Sequence, residues 1–344
     1  WIFFPCQIGE HTASIFFAGL AAGGVLDETG TRLGWDSRTA PRWSFIWSAT
    51  DAAVDLNGNI YVSLERGPAL ARLNGAGAPD DDFTHRLTIT GKSKVVELSR
   101  DGNLLMGGSL RLPEGTNTFG LAKVTPHGEI DETFNTHTFL DKSVTATAVT
   151  QDYIYAASAW TNSEAALVFE LGRYDLNGNP DNLFPPIILD GEIAELLPLP
   201  GGNLLAAGSF EHVGGEARPS LVLLDSEGRI DPSFTPNLDG PVLAAASQAD
   251  ARLLVGGDFS SVDGLPRRNF ARLLPSGEVD PSFDPGSGPD GLVYTITLQP
   301  DGAILVGGTF QNFSGRLTGC LVPLNGDSAE VTSHIYFSSI QFTG

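Results

Sequence analysis

The chain has 344 residues, 41% of them hydrophobic and 18% charged, with a formal net charge of −21. That length exceeds what one ordinary hydrophobic core serves, and the composition excludes a disordered chain. A surface this acidic repels phosphate backbones, which excludes nucleic acid as a partner, and no run of 18 apolar residues encodes a membrane-spanning helix.

In chain order, "WIFFPCQI" reads as a first strand, and "SIFFAGLAAGGVL" at 14–26 as strand, tight turn and strand. The chain opens on Trp1, and a removed secretion signal is the expectation this raises. From there the sequence repeats. Turn glycines close apolar strands at Gly30, Gly75, Gly128, Gly178, Gly228, Gly277 and Gly326, at intervals of 45, 53, 50, 50, 49 and 49. Within a unit, "LVYTITLQ" alternates as a strand, "PDG" turns, "AILVGG" is a second strand, and "GCLVPL" is a third. A short fourth segment, as in "EVDPSF", follows. Four short strands per unit of this length, repeated in tandem, predict propeller blades. The expected fold is all-β: a seven-bladed β-propeller of four-stranded antiparallel blades. It forms one domain over 1–344, with blades at about 1–43, 44–93, 94–141, 142–190, 191–239, 240–290 and 291–344. At its end, 331–342 alternates as a strand expected to pack where blades one and seven meet.

Two recurrent features read as architecture. Small residues in "LLVGGDF" and "LLAAGSF" let blades approach, with Phe210, Phe259 or Phe310 filling the gap between sheets. The phrase Asp-x-x-Phe recurs at Asp80–Phe83, Asp131–Phe134, Asp181–Phe184, Asp231–Phe234 and Asp280–Phe283. Its carboxylate suits backbone N–H groups in a turn and its ring suits burial between blades. A feature present in five units serves folding before it serves chemistry.

The pattern GGDFxxVDGxxRxxFARLxxxGxxDPSF, with "LQPDGAILVGG", resembles the bacterial delta-60 repeat family, best over 191–325. The segment "DAAVDLNGNIYVSLERGPALARLNGAG" at 51–77 is similar to NHL-type propeller repeats. The resemblance implies a propeller and carries no catalytic residues.

Candidate chemistry is sparse. "DLNGN" at 55–59 and 175–179 has a superficial likeness to a calcium loop. The glycine comes too early, and Arg66 and Pro186 stand where the terminal glutamate belongs, so a hairpin turn is the favoured reading. His11, His85, His127, His137, His212 and His334 form no ligand pair, and no nucleophile elbow or phosphate loop is present. No cofactor is therefore expected, with calcium the one ion considered. Two sets are candidate ligand-binding residues. Arg218, Arg267 and Arg316, spaced 49 and 49, lie between second and third strands and suit an anion. Asp141, Asp190, Asp239 and Asp290 each precede a first strand, near the channel mouth, and suit a cation or amine. The plain alternative for both is structural pairing and turn formation. Cys6 and Cys320 fall in a first and a third strand, about two strand spacings apart, which predicts two unbridged thiols.

The functional expectation is a non-catalytic binding or assembly scaffold with protein partners, extracytoplasmic (periplasmic or secreted) and bacterial. One form of it is an accessory subunit of a larger, membrane-associated complex. The alternative is a propeller enzyme of lyase, lactonase or glycosidase type, or a carbohydrate-binding module, using the channel mouth.

Overall fold

The computed structural model describes residues 2–8, 11–17, 49–65, 67–74, 78–112 and 117–332. An N-terminal hairpin pairs β1 (Ile2–Ile8) with β2 (His11–Phe17). Six antiparallel sheets follow, each resembling a propeller blade. The first is β3 (Ala49–Val54), β4 (Ile60–Leu64) and β5 (Leu70–Leu73); the second is β6 (Thr90–Leu98), β7 (Leu104–Arg111) and β8 (Phe119–Val124). A one-and-a-half-turn helix, α1 (Asp81–Arg86), lies between them. The third has four strands: β9 (Ser143–Val149), β10 (Tyr153–Thr161), β11 (Leu167–Asp175) and β12 (Ile187–Leu189). The fourth comprises β13 (Ile193–Pro198), β14 (Leu204–Gly208) and, after the small hairpin β15 (His212–Val213) and β16 (Glu216–Ala217), β17 (Leu221–Leu224). The fifth repeats this plan as β18 (Val242–Ser247), β19 (Leu253–Gly257), hairpin β20 (Ser261–Val262) with β21 (Leu265–Pro266), and β22 (Phe270–Leu273). The sixth is β23 (Val293–Leu298), β24 (Ile304–Gly308), hairpin β25 (Asn312–Phe313) with β26 (Arg316–Leu317), and β27 (Leu321–Leu324).

The fold separates into two compact units, Ser14–Pro232 with Trp1–Phe3, and Ser233–Gly344 with Phe4–Ala13. Sheets one to four belong to the first unit and sheets five and six to the second. Gly30, Gly75 and 333–344, including most of the expected terminal strand, lie outside the described residues.

Five of the six sheets have three strands where four were expected. The expected fourth segment is present but contributes single bridges, such as Leu224↔Ile230 and Leu273↔Val279. In sheets that carry the Asp-x-x-Phe phrase, the turn it forms follows directly on that bridge. In α1 the Asp80 carboxylate accepts from the Phe83 amide and receives Arg72 Nε at 2.9 Å. The same pairing joins Arg173 Nε to Asp181 at 2.8 Å and Arg272 Nε to Asp280 at 2.9 Å. Each guanidinium also lies over its motif ring, at 5.1 Å for Arg72 and Phe83, 4.8 Å for Arg173 and Phe184, and 4.3 Å for Arg272 and Phe283. Each then donates to a turn carbonyl of the following sheet: Pro126, Ser226 and Gly326. The phrase is thus a latch between successive sheets.

The turn glycine completes it. Gly228 stands at φ +80°, and a Cβ there would meet the Phe184 ring at 2.9 Å. Sheet-to-sheet packing is equally close along the strands: a Cβ on Gly107 would meet Val144, and one on Gly256 would meet Val293 at 2.3 Å. Phe210, Phe259 and Phe310 are buried, as the sequence implies.

The expectation of two free thiols is overturned, because Cys320 is disulfide-bonded and no described cysteine is free. The sequence holds one other cysteine, Cys6. The spacing argument compared a first strand with a third strand of adjacent blades, whereas β1 pairs with β2 in an N-terminal hairpin and Phe4–Ala13 packs in the same compact unit as Cys320.

Candidate functional site

Every described sheet begins with a strand hydrogen-bonded on one side only, and each first strand carries a bulge near its start. The free edge leaves backbone groups that need partners. In the first unit, where β3, β6, β9 and β13 lie side by side in order, side chains supply them. Bulged Thr50 donates to the Ser93 carbonyl at 2.9 Å, and bulged Thr145 to the Ile193 carbonyl at 2.9 Å. Asp51 Oδ2 accepts from the Val96 amide at 2.9 Å, and Glu97 Oε2 from the Val149 amide at 2.9 Å. Lys94, the bulged residue of β6, reaches two sheets along to Glu192 at 2.9 Å.

Three carboxylates on this row of first strands, Asp51, Glu97 and Glu195, lie within electrostatic reach of one another. All three are half-buried. Burial pushes Asp51 up to about 7, against the amides of Val96 and Ala52, and the charge of Glu97 adds to it. Burial likewise raises Glu97. Glu195 is pushed up to about 8, first by burial and then by the charges of Asp51 and Glu97. Its carboxylate accepts no hydrogen bond among the described residues. Near neutral pH the three therefore share protons rather than all ionising. A protonated acid beside an ionised carboxylate is the pairing that general acid–base chemistry uses. Among the described residues no group of three or more His, Cys, Asp or Glu side chains is arranged to hold a metal ion.

Sequence reasoning passed over this trio. Its signal is a lone acid inside an apolar first strand, in "ATDAAV", "KSKVVEL" and "IAELLP".

The residues singled out from sequence lie elsewhere. Asp190, Asp239 and Asp290 each follow a residue that pairs with the small hairpin of the next sheet: Leu189↔Val213, Leu238↔Val262 and Pro289↔Phe313. Each carboxylate closes that hairpin by accepting two successive amides, those of Glu211 and His212, Ser260 and Ser261, and Gln311 and Asn312. Against a desolvation that raises them, these bonds hold Asp190 and Asp239 at about 2 and lower Asp290 too. His212 Nδ1 adds a 2.7 Å contact to Asp190. Asp141 is exposed at a left-handed backbone position, φ 55°, without this capping pattern. The turn-forming role thus accounts for three of the four acids.

The arginines do not form one set. Arg218 and Arg267 are equivalent: their amides donate to the carbonyls of Glu211 and Ser260 at 2.9 and 3.0 Å. In the sixth sheet the corresponding bond, to the Gln311 carbonyl at 3.0 Å, comes from Thr318. Arg316 instead occupies the hairpin position of Glu216 and Leu265. The side chains of Arg218 and Arg267 pair loosely with Glu216 at 3.4 Å and Asp284 at 3.7 Å.

Both "DLNGN" segments are hairpin turns. Asp55 and Asp175 each accept two backbone amides and an asparagine side-chain amide, which occupies the oxygens a calcium ion would need. No helix among the described residues is long and apolar enough to cross a membrane.

A family model described as a domain of unknown function (DUF5122) beta-propeller matches residues 200–234, 248–283 and 299–329. No curated protein matches the chain. Among solved structures it is similar to virginiamycin B lyase from Staphylococcus aureus, at 11% identity over 81% of each chain with a TM-score of 0.47. It is also similar to the WD40 beta propeller domain of Doa1, at 9% identity over 75% of this chain and 88% of that one, TM-score 0.36. A third likeness is to the extracellular domain of a putative hybrid two-component system from B. thetaiotaomicron. There the identity is 10% over 81% of this chain and 39% of that one, with a TM-score of 0.41.

Proposed function

We propose that this chain is a seven-bladed β-propeller of the delta-60 repeat kind whose first-strand carboxylates form an acid–base site, making it a propeller enzyme of lyase, lactonase or glycosidase type. Six described blade-like sheets and a seventh turn glycine upstream of them support the blade count. The observation that carries the enzymatic reading is Glu195. It is a half-buried carboxyl without a hydrogen-bond partner among the described residues, pushed up to about 8 first by burial and then by the charges of Asp51 and Glu97. Asp51 and Glu97 already serve the edges of neighbouring strands, but Glu195 has no such structural duty. A group of that kind donates or takes a proton readily at physiological pH.

The test is turnover of three substrate sets: nitrophenyl glycosides, aromatic lactones, and uronic-acid polysaccharides followed through the unsaturated product of elimination. One set is expected to be turned over, with Glu195→Gln reducing kcat/KM by at least about 100-fold, the scale of losing a general acid or base. The melting temperature of the variant should not fall below that of wild type. No turnover of any set by the wild-type chain, or turnover untouched by Glu195→Gln, refutes the reading.

A second reading, the non-catalytic scaffold with a protein partner, is favoured by sheet three. There Leu167, Leu183 and Ile188 are large apolar side chains left 60%, 79% and 48% exposed. Both readings place the protein outside the cytoplasm, a location the disulfide at Cys320 supports.

A further inference from the structure

Within the second unit, an open cleft of about 480 Å³ is lined by Asp239, Asp258, Phe259, Ser260, Arg268 and Asn269. Most of these are already committed. Asp239 accepts the amides and hydroxyls of Ser260 and Ser261. Asn269 accepts from the Phe259 amide and donates to the Gly291 carbonyl at 2.9 Å. Two groups are not. Asp258 is exposed, and its carboxylate makes no hydrogen bond or ion pair among the described residues. The Arg268 guanidinium gives one bond, to the Asp290 carbonyl at 3.0 Å, and keeps its other donors free. The two share the cleft without pairing with each other.

The repeat shows that they are not architecture. The amide of Asp258 donates to the Pro241 carbonyl, the bond that Ser209 makes to Glu192 and Thr309 to Leu292. Arg268 likewise stands where sheet four has Pro219 and sheet six has Gly319. Neighbouring blades fold with serine, threonine, proline or glycine at these places, so neither charge is needed for the blade. A third departure lies in β23. Tyr294, the bulged residue of β23, is 36% exposed, whereas the bulge positions of sheets three, four and five hold Thr145, Ala194 and Leu243. Burial, and then the charge of Asp258, raises the Tyr294 phenol, which places the two within electrostatic reach.

We propose that this cleft binds a neutral sugar ring, with Asp258 accepting from and Arg268 donating to adjacent hydroxyls, and Tyr294 offering its ring face. A carboxylate and a guanidinium are both planar and bidentate, and vicinal hydroxyls meet both because each hydroxyl donates and accepts. An aromatic ring turned toward them would cover the apolar C–H face of a pyranose. The site uses none of the residues of the acid–base trio and stands or falls apart from it.

The test is calorimetry and saturation-transfer NMR on the full chain with methyl glucoside, galactoside, mannoside and xyloside, and with their β-linked trisaccharides. At least one is expected to bind, with Asp258→Asn and Arg268→Gln each weakening it at least tenfold. The melting temperature should not change in Asp258→Asn and should fall in Arg268→Gln by no more than the loss of its single bond to the Asp290 carbonyl explains. Tyr294→Ala should weaken the trisaccharide by a similar factor. Absence of binding by the whole set overturns the proposal, as does binding that both Asp258→Asn and Arg268→Gln leave intact. Binding of glycine amide or free glycine in place of sugars, lost in the same variants, would reassign the cleft to a charged ligand and overturn it equally.

Discussion

Replacing Glu195 with glutamine should make the protein more stable at alkaline pH and change little at acidic pH. The folded chain holds Glu195 protonated up to about 8, whereas the unfolded chain releases that proton near the ordinary value of 4.5. Between those values the native state binds more protons, so stability falls as pH rises. At about 1.4 kcal/mol per pH unit over that interval the ceiling is roughly 5 kcal/mol. Glu195 is only half-buried and shares its protons with Asp51 and Glu97, which leaves on the order of 1–3 kcal/mol. Glutamine has the same shape and no charge to desolvate. At about 2–4 °C per kcal/mol, Glu195→Gln should melt several degrees above wild type at pH 8.5 and within a degree or so of it at pH 4.5. Differential scanning fluorimetry across that range reads both. Two parallel melting curves, or a variant less stable at pH 8.5, would show that the carboxylates do not converge and would remove the basis of the acid–base site.

Arg272→Met strips the Asp280 carboxylate of its main partner in a place where both side chains are 3% exposed, and it also removes the bond to Gly326. Because Arg252 still reaches Asp280 at 3.1 Å, the loss should be about 3 kcal/mol rather than more, seen as a fall in melting temperature; a change under about 1 kcal/mol refutes the latch. Gly228→Ala and Gly201→Ala start from nearly the same backbone, φ +80° and +83°, but only the first Cβ meets a ring, that of Phe184. Gly201→Ala should cost about 1 kcal/mol and Gly228→Ala clearly more, by chemical denaturation; equal costs would mean that the turn glycine does not pack on the preceding motif.

Much of the fold is legible in sequence because its determinants are local. Alternation, the turn glycines and the Asp-x-x-Phe phrase each act within a few residues, so each unit announces itself. The partner of the phrase is less legible. Arg72, Arg173 and Arg272 stand eight residues before their aspartates, across a strand and a turn, and only pairing geometry joins them. The acid trio was hidden for a different reason. Asp51, Glu97 and Glu195 are far apart in sequence and meet because first strands lie side by side, a relation between sheets that no window within one unit contains. The disulfide at Cys320 is illegible for a related reason, because β1 pairs with β2 in a hairpin and strand spacing within a blade does not apply to it.

The repeat itself misled at one point, and the cause is a two-residue insertion. Second strands begin at Leu204, Leu253 and Ile304, so the offset between sheets four and five is 49 and between five and six is 51. The extra residues fall in the crossover "DPGSGPD" before β23. A constant interval of 49 therefore selects the wrong residues in the last unit. It picks Arg316 where Thr318 is equivalent, and the glycine of the "VPLNG" turn, Gly326, precedes the residue that takes the left-handed position, Ala329, φ 58°. The acids keep their equivalence because each is defined by its place before a first strand, not by interval. Register taken from backbone pairing separates what a repeat must keep from what one unit has changed. Asp239 and Asp290 are kept because every hairpin needs closing. Asp258, Arg268 and Tyr294 are changed where the blade makes no such demand, and residues of that second kind are where binding is to be sought.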